Sequence, residues 1–486
     1  MVRNAVLVPI AALSLFGGLA CYTPWEPPDT ADPDTADTNA TQDCGADPSD
    51  PLADADGDLL NDVDEIDRGT DPCDRDTDGD GLSDGIEVAA GSDPNNDISK
   101  ADGIYIELPE GETAQTVLSF VIEISRADIA FLIDTTGSMG STANAMASEF
   151  ASIVSEVSTS VPDATYGVAT YDDFAYAGYG YPSSGDKPFI LRQQQTDDIS
   201  LVQNALNTQV QLHFGGDAEE SSIEAIYQAL TGVGYDQGDG ACGGYDALTD
   251  VLPFKANPAD AFGGGAGESY VPGVAGSGTS GGMGFRRGAL PIIVYATDNS
   301  LRDPDNGYGV PPSCGTGAAA GSSDVVTALN ALGGRLIGIN VSTFGGGART
   351  QMDDLAYATG STGDLDGNGI DETFVFDWNG SSSAAFRTTV GNAIKDVVGA
   401  LTFATVDLDY DGTGAAFVSV VDPIAYYNID STDFGTPLDF TIHFDGVVAA
   451  TQQDQVFTVN FTLMGDDALV LGGRTITIIV PGTGSN

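Results

Sequence analysis

Carboxylate and hydroxyl side chains are concentrated in Asp134-Thr-Thr-Gly-Ser138, directly after the apolar run Ile129–Ile133. Asp298 follows a second apolar run, Pro291-Ile-Ile-Val-Tyr295. Ligands of open α/β sheets bind at the carboxyl ends of the strands, so these oxygens should converge there. One or two carboxylates with hydroxyls and waters suit the octahedral shell of Mg²⁺ and leave it electrophilic towards an incoming carboxylate. The predicted magnesium ligands are Asp134, Thr136, Ser138 and Asp298.

A second pattern of acids recurs after 22 residues, because Asp54-Ala-Asp-Gly-Asp58 returns as Asp76-Thr-Asp-Gly-Asp80. The acids occupy positions 1, 3, 5, 9 and 12 of a loop, which is the oxygen-rich spacing of a calcium site. Gly81 stands at position 6 of the second loop, where the chain must turn sharply, and Leu59 stands at that position in the first. The predicted calcium ligands are Asp54, Asp56, Asp58, Asp62 and Glu65 in the first loop, and Asp76, Asp78, Asp80, Asp84 and Glu87 in the second.

The segment around Asp134 alternates short apolar runs with helical patterns. Ile129–Ile133, Pro291–Tyr295 and Leu336–Ile339 are continuously apolar, which is typical of parallel strands buried on both faces. Apolar residues between these runs recur at helical spacing, as at Met146 and Phe150. We therefore predict a doubly wound α/β domain.

The last part of the chain has a period of two. Leu438, Phe440, Ile442 and Phe444 alternate with polar residues, and the segments from Phe457 and from Ile476 do the same. Such alternation indicates antiparallel strands with one wet face. Because residues 118–124 alternate in the same way, residues 103–126 and 402–482 are predicted to form one β-sandwich with the α/β domain inserted into it.

The α/β segment resembles von Willebrand factor A domains, whose metal-ion-dependent adhesion site has an Asp-x-Ser/Thr-x-Ser loop and a later Thr-Asp. Gly215-Gly-Asp-Ala-Glu-Glu220 resembles the middle metal loop of the integrin-β-like branch. This likeness implies that Glu220 is a further ligand of the adhesion site. It also implies an adjacent calcium site at Asp173, Asp217 and Glu220, although Gly215 stands where that branch has asparagine.

Residues 54–97 resemble the thrombospondin type 3 repeats of bacterial surface proteins, which implies bound Ca²⁺. A further acidic segment, Asp364-Leu-Asp-Gly-Asn-Gly369, begins like a calcium loop. However, Val375 occupies position 12, where a glutamate is expected. Both a simple turn and a cation loop with Glu372 as a ligand fit this pattern.

The composition limits the classes of partner that the protein is expected to bind. Of 486 residues, 72 are acidic and 16 basic, giving a formal net charge of −56. Such a charge repels nucleic acid and anionic lipid and attracts divalent cations. The hydrophobic fraction of 41% is sufficient for folded cores.

The amino terminus and the cysteines indicate export. A short basic start and an apolar run lead to Cys21, which resembles a bacterial lipoprotein signal and implies a lipid anchor at that cysteine. An oxidising compartment favours disulfides among the other four cysteines. Three pairings are possible, and proximity along the chain favours Cys44 with Cys73 and Cys242 with Cys314.

The predicted architecture is thus a multidomain chain. It consists of a signal peptide at 1–21, a disordered acidic and Pro-rich linker at 22–53, calcium repeats at 54–97, sandwich strands at 103–126, the A domain at 127–401 and the rest of the sandwich at 402–482. Residues 231–288 form a long Gly-rich connection of unassigned role.

Binding explains these features best. We expect a surface-exposed adhesion protein that binds an acidic group of a partner protein, or another acidic surface ligand, through Mg²⁺. The alternatives are a calcium-stiffened structural stalk with an incidental metal site and, with less support, a metal-dependent hydrolase. The hydrolase lacks a His-Glu-x-x-His run and a histidine beside a nucleophile. No enzyme activity, nucleic-acid partner or catalytic residue is expected.

Overall fold

The computed structural model describes residues 44–99, 103–122, 124, 126–176, 178–238, 246, 248–256, 264–269, 279–280, 282–314, 319–341, 348–430 and 433–482. The predicted signal peptide, Cys21, most of the predicted linker and Cys242 lie outside these residues. Within them, no helix has the length and apolar character needed to cross a membrane.

The α/β region is built on a sheet with six strands in the described part of the chain. Neighbouring strands are parallel except at one edge, where the last strand runs antiparallel. The strand carrying Asp134 lies inside the sheet, and all but its first residue are buried. In spatial order the strands are Val375–Trp378, Arg335–Val341, Leu290–Thr297, Arg126–Asp134, Asp163–Tyr171 and Ile190–Thr196.

Helices cover both faces of this sheet. Ile129, Phe131 and Ile133 belong to the core on one face, and Ala130 and Leu132 belong to the core on the other. This two-sided burial explains why the strand is continuously apolar. The helices on the first face are Gly140–Val157, Ile199–Thr208 and Ser383–Gly399, and those on the second are Ser222–Thr231, Ser322–Ala331 and Ala348–Ala358.

Two further sheets form the β-rich region. The chain before the α/β region contributes one strand to each of them: Ile104–Glu107 pairs with Leu469–Val480, and Thr113–Val121 pairs with Pro437–Asp445. The α/β region is therefore flanked on both sides by strands of the same unit. One sheet has the order Ile104–Glu107, Leu469–Val480, Gln455–Gly465, Phe403–Asp411 and Ala425–Ile429, and the other has the order Val418–Asp422, Pro437–Asp445 and Thr113–Val121.

The alternating residues of these strands form the shared core. Phe440, Ile442 and Phe444 are fully buried, as are Val459 and Ile478 from the opposing sheet. Phe120 packs edge-to-face on Phe440 at a centroid distance of 6.1 Å. Burial of these apolar side chains from both sheets provides much of the driving force that holds the two sheets together.

Short two-stranded sheets lie within the loops. One pair joins Glu219–Glu220 in parallel to Ser300–Leu301 at the carboxyl edge of the main sheet. The others are Phe254–Ala256 with Gly264–Ser269, Thr279–Ser280 with Phe285–Arg286, and Thr362–Gly363 with Glu372–Thr373.

The acidic repeats at the start of the described chain contain two short helices, Asp62–Arg68 and Asp84–Ala90. Each ends at a glycine with positive φ, Gly69 or Gly91, as expected for a left-handed helix terminus. Cys44 and Cys73 form a disulfide with a Cα–Cα distance of 5.7 Å. Cys314 is also disulfide-bonded.

Candidate metal centre

Asp134 is the last residue of a buried strand, and the loop after it turns directly into the helix Gly140–Val157. Its carboxylate is fully buried. Thr136 donates to Asp134 Oδ1 twice, from its backbone N–H at 2.8 Å and from its hydroxyl at 2.7 Å. Thr297 donates from its hydroxyl to Asp134 Oδ2 at 2.7 Å. These bonds fix both carboxylate oxygens at the edge of the sheet.

Asp298 arrives at the same edge because its strand, Leu290–Thr297, lies beside Arg126–Asp134 in parallel register. The Ser138 hydroxyl donates to Asp298 Oδ1 at 3.0 Å. Ser138 is exposed, whereas Asp298 is buried. The structure thus brings Asp134, Ser138 and Asp298 together, with the serine at the opening to solvent.

Glu220 comes from a third segment. Its strand pairs with Ser300–Leu301, which begins two residues after Asp298, and the Arg302 backbone N–H donates to the Glu220 carbonyl at 2.8 Å. The Glu220 side chain is buried and hydrogen-bonds to Thr136, but its Oε2 atom has no hydrogen-bond partner. Because buried carboxylate oxygens are normally satisfied, this atom is available to a further hydrogen-bond donor or a cation.

The pKa values of two carboxyl groups in the cluster also favour a bound cation. Burial, followed by the charge of Asp298, raises the pKa of Asp134 to about 7. Burial, followed by the charges of Asp134 and Asp173, raises the pKa of Glu220 to about 11. Carboxylates gathered in a low-dielectric site repel one another, and a divalent cation would relieve that repulsion.

The donor set fits a hard cation. The five candidate ligands all offer oxygen, from carboxylates or hydroxyls, and none of the five is a sulfur or nitrogen donor. Such sets suit Mg²⁺ or Ca²⁺ rather than softer metals. The residues that would hold the ion are Asp134, Thr136, Ser138, Glu220 and Asp298.

The predicted adjacent calcium site contains an arginine. Asp173 and Asp217 lie near each other, but the Arg302 guanidinium forms an ion pair with Asp217 and lies 3.7 Å from Asp173 Oδ1. Glu220, assigned to both sites by the resemblance, faces Thr136. Gly215, with φ +67°, packs against Thr136 and Asp173, where a β-carbon would lie 3.1 Å from the Thr136 methyl group. This tight contact accounts for glycine at that position.

Sequence reasoning missed three supporting residues. Thr297 stood inside the recognised Thr-Asp pair without an assigned role, although its hydroxyl bonds to Asp134. His213, which no sequence motif marks, bonds through Nδ1 to Asp172 Oδ2 at 2.7 Å and through its backbone N–H to the Thr135 carbonyl. Arg302 follows Asp298 by four residues and has no motif of its own. Of these three residues, only Thr297 lies in a sequence pattern, the Thr-Asp pair, from which its role could have been predicted.

The two acidic loops fold alike. In the second, Gly81 N–H donates to Asp76 Oδ2 at 2.9 Å, and in the first, Leu59 N–H donates to Asp54 Oδ2 at 3.2 Å. Leu59 has φ 80°, so it adopts the left-handed conformation that glycine provides at position 6 of the other loop. Within each loop, the first three acids place a carboxylate oxygen within 4.8 Å of one another.

Both loops contain buried carboxylate oxygens without hydrogen-bond partners, including both oxygens of Asp56 and of Glu65 and Oε2 of Glu87. Burial, followed by neighbouring carboxylates, raises the pKa of Asp56 to about 8 and that of Glu65 to about 9. The predicted ligand sets therefore gather buried carboxyl groups whose ionised forms repel one another. A calcium ion in each loop would satisfy these oxygens.

The segment beginning at Asp364 repeats part of this geometry. Gly369 N–H donates to Asp364 Oδ2 at 2.8 Å, and Leu365 N–H donates to Glu372 Oε2 at 2.9 Å. The side chain of Val375 is buried within a strand and supplies no oxygen. Asp364, Asp366 and Glu372 lie close enough to share an ion, but the two aspartates are exposed.

Comparison with known proteins finds one family match and several similar solved structures. Residues 76–97 match the bacterial TSP3 repeat family. No curated protein sequence matches the chain. The structure is similar to a von Willebrand factor type A protein from Catenulispora acidiphila, at 12% identity and a TM-score of 0.30, over 78% of this chain and 71% of that one.

Two other solved structures are similar. The pilus adhesin SpaC from Lactobacillus rhamnosus GG, in its open conformation, matches at 11% identity and a TM-score of 0.31, over 76% of this chain and 46% of its own. Proximal thread matrix protein 1 from the mussel byssus matches at 14% identity and a TM-score of 0.30, over 59% and 51%. This chain thus spans about half the length of each.

Proposed function

We propose that the protein binds an acidic group of a partner protein through Mg²⁺ held at the edge of the main sheet. The observation that carries this proposal is the buried, unpartnered Oε2 of Glu220 in a cluster whose Ser138 is open to solvent. The ion would be held by Asp134, Thr136, Ser138, Glu220 and Asp298. A carboxylate of the partner would complete its shell from the solvent side.

The proposal is for binding and not for catalysis, and it places the protein outside the cytoplasm. The Cys44–Cys73 disulfide fits an oxidising compartment, in agreement with the export signal predicted at residues 1–21. Attachment through a lipidated Cys21 would hold the protein at a bacterial surface. Ca²⁺ in the repeats would stiffen the segment between that anchor and the sandwich.

The test uses the full chain and two readouts. Mn²⁺, as a paramagnetic substitute for Mg²⁺, is titrated while water proton relaxation reports the ion's open coordination positions, and acetate is added as a carboxylate probe. Immobilised protein is then incubated with bacterial surface-protein extracts with Mg²⁺ or EDTA. We expect acetate to displace water from the bound ion and Mg²⁺ to be required for capture.

Asp134→Ala should lose the Mn²⁺ site and partner capture while the domain stays folded. The matched control is Asp354→Ala, which removes an exposed aspartate from the helix Ala348–Ala358. Capture that persists in EDTA or in Asp134→Ala would contradict the proposal. Turnover of an ester, phosphate or peptide substrate that depends on Asp134 would instead favour a hydrolase.

A structural stalk is the second candidate, and the contacts of the repeats favour it. Gly85 N–H donates to Asp58 Oδ2 at 2.7 Å, which joins the second repeat to the first loop. Arg75 pairs with Asp454 Oδ2 at 2.5 Å, which joins the repeats to the sandwich. Calcium-dependent compaction in small-angle scattering, without any Asp134-dependent partner, would support this function alone.

A further inference from the structure

Arg302 lies among three acidic side chains beside the adhesion cluster. Its Nη2 atom pairs with Asp217, donates to the Glu219 carbonyl at 2.8 Å, and lies 3.8 Å from Glu219 Oε2 and 3.7 Å from Asp173 Oδ1. Nη1 donates to the Gly309 carbonyl at 3.1 Å. The guanidinium thus lies beside Asp173 and Asp217, two of the three residues that the resemblance assigned to a calcium ion.

Arg302 occupies a buried position and does not form a surface ion pair. The Arg302 side chain is 2% exposed, and the Asp173 side chain is fully buried. The ring of Tyr179 covers the guanidinium, with its centroid 4.4 Å from Cζ. Arginine suits such a place because its planar, weakly hydrated charge can donate in several directions and stack on an aromatic ring.

Arg302 also joins the segments that carry two of the proposed magnesium ligands. It ends the segment that starts at Asp298, and its backbone N–H holds the Glu220 carbonyl. Its side chain holds the residues just before Glu220 through Asp217 and the Glu219 carbonyl. The guanidinium therefore fixes the backbone position from which the Glu220 side chain reaches the edge of the sheet.

We propose that Arg302 is a permanent internal cation that replaces a second metal ion and positions Glu220 in the adhesion site. The α/β region then has one exchangeable cation at this edge, and Ca²⁺ has no place beside it because the positive guanidinium repels a divalent ion. The positioning role rests on the proposed function, whereas the exclusion of calcium does not.

Calcium binding to the full chain tests the replacement. Arg302→Met removes the charge and keeps a long side chain, so Asp173, Asp217 and Glu219 become free to bind an ion. Equilibrium dialysis with radioactive calcium should show one ion more per chain than the wild type, with a dissociation constant on the order of 0.1–1 mM, as in extracellular modules. Arg302→Lys and Arg302→Met/Asp217→Asn are the matched controls and should not gain the ion.

Terbium luminescence shows where the extra ion binds. Tb³⁺ in the place of the guanidinium would lie next to Tyr179 and be sensitised by that ring, so Arg302→Met should gain emission that Arg302→Met/Tyr179→Phe lacks. An Arg302→Met chain that binds no additional calcium and gains no such emission would overturn the replacement.

Stability and Mn²⁺ binding complete the test. If Arg302→Met does not fold in EDTA, the same proposal requires that millimolar Ca²⁺ restore folding. Without calcium, the Mn²⁺ affinity of a folded Arg302→Met chain should fall at least severalfold and should recover with calcium. Unchanged Mn²⁺ affinity would overturn the positioning role. Because neither readout uses a partner, these failures are distinct from a failure of partner capture.

Discussion

The hydroxyl of Ser138 lies 3.0 Å from Oδ1 of Asp298, although 160 residues separate the two positions. The contact exists because the strands before them are parallel neighbours, with Ile133 opposite Ala296. The register of the two parallel strands, and not closeness along the chain, brings these two side chains together. A change that leaves every ligand in place but disturbs this edge should therefore weaken cation binding.

Thr297→Val tests this dependence without removing a proposed ligand. The substitution keeps the shape and deletes the hydroxyl that donates to Asp134 Oδ2 at 2.7 Å. Loss of such an orienting group typically weakens metal binding by about 10–100-fold. Mn²⁺ titration of the full chain measures the effect. Thr327→Val, on an exposed helix position, is the control and should bind Mn²⁺ like the wild type.

Metal-free stability should decrease as the pH rises. Burial, followed by Asp298, raises the pKa of Asp134 from 3.8 to about 7, so the folded chain holds this proton more tightly than the unfolded chain. The stabilisation from the bound proton is complete below pH about 4 and is lost as the pH rises through about 7. This difference in pKa corresponds to at most about 4 kcal/mol in the free energy of unfolding.

Urea unfolding in EDTA at pH 5 and pH 8 measures this dependence. Asp134→Asn is the control because it cannot titrate, and the difference between the two proteins isolates the contribution of Asp134. Saturating Mg²⁺ should restore stability at pH 8 in the wild type and have less effect on the variant. Equal pH dependence of the wild type and Asp134→Asn in EDTA would contradict the assignment.

Gly85→Ala should separate the two repeats. A β-carbon at Gly85 would overlap the Asp58 carbonyl oxygen and lie 2.9 Å from the Leu60 nitrogen, and both of these atoms are backbone atoms that move only with the chain. We expect a loss of about 1–3 kcal/mol, as for overpacked sites, and weaker calcium binding in the first loop. Calorimetric calcium titration and thermal unfolding test this expectation. Gly399→Ala is the control, since nothing lies within 4 Å of its added carbon.

Asp454→Asn should loosen the repeats from the sandwich. The Asp454 side chain is fully buried; its Oδ2 accepts from Arg75 at 2.5 Å, and its Oδ1 accepts from the Gly482 N–H at 2.6 Å. Loss of the charge leaves Arg75 with the exposed Glu107 as its acidic partner, and we expect a cost of about 1–3 kcal/mol. Faster proteolysis near Arg75 and a larger radius of gyration would show the release. The exposed Asp439→Asn should change neither.

Much of the fold followed from periodicity. The continuous apolar run at Ile129–Ile133 matches a strand buried on both faces, and the alternation at Leu438–Phe444 matches a strand with one buried face. Both patterns arise because burial depends directly on which face a side chain occupies. The pairing of Thr113–Val121 with Pro437–Asp445 was suggested by the same alternation on both sides of the α/β region.

The parts of the site that sequence reasoning missed depend on packing rather than spacing. Arg302 lies under Tyr179 because two distant loops meet, and neither loop has a periodic pattern. Leu59 occupies a turn where glycine is expected, and only the backbone shows that leucine adopts φ 80° there. Single residues of this kind have no sequence signal, because their roles are defined by neighbours far away in the chain.

The split sandwich also determines how the protein would transmit tension. The chain enters the α/β region at Arg126, at the opposite end of its strand from Asp134, and the next sandwich strand begins at Phe403. A ligand pulling on the metal edge would load the parallel strands along their length and pass the force to two chain crossings at once.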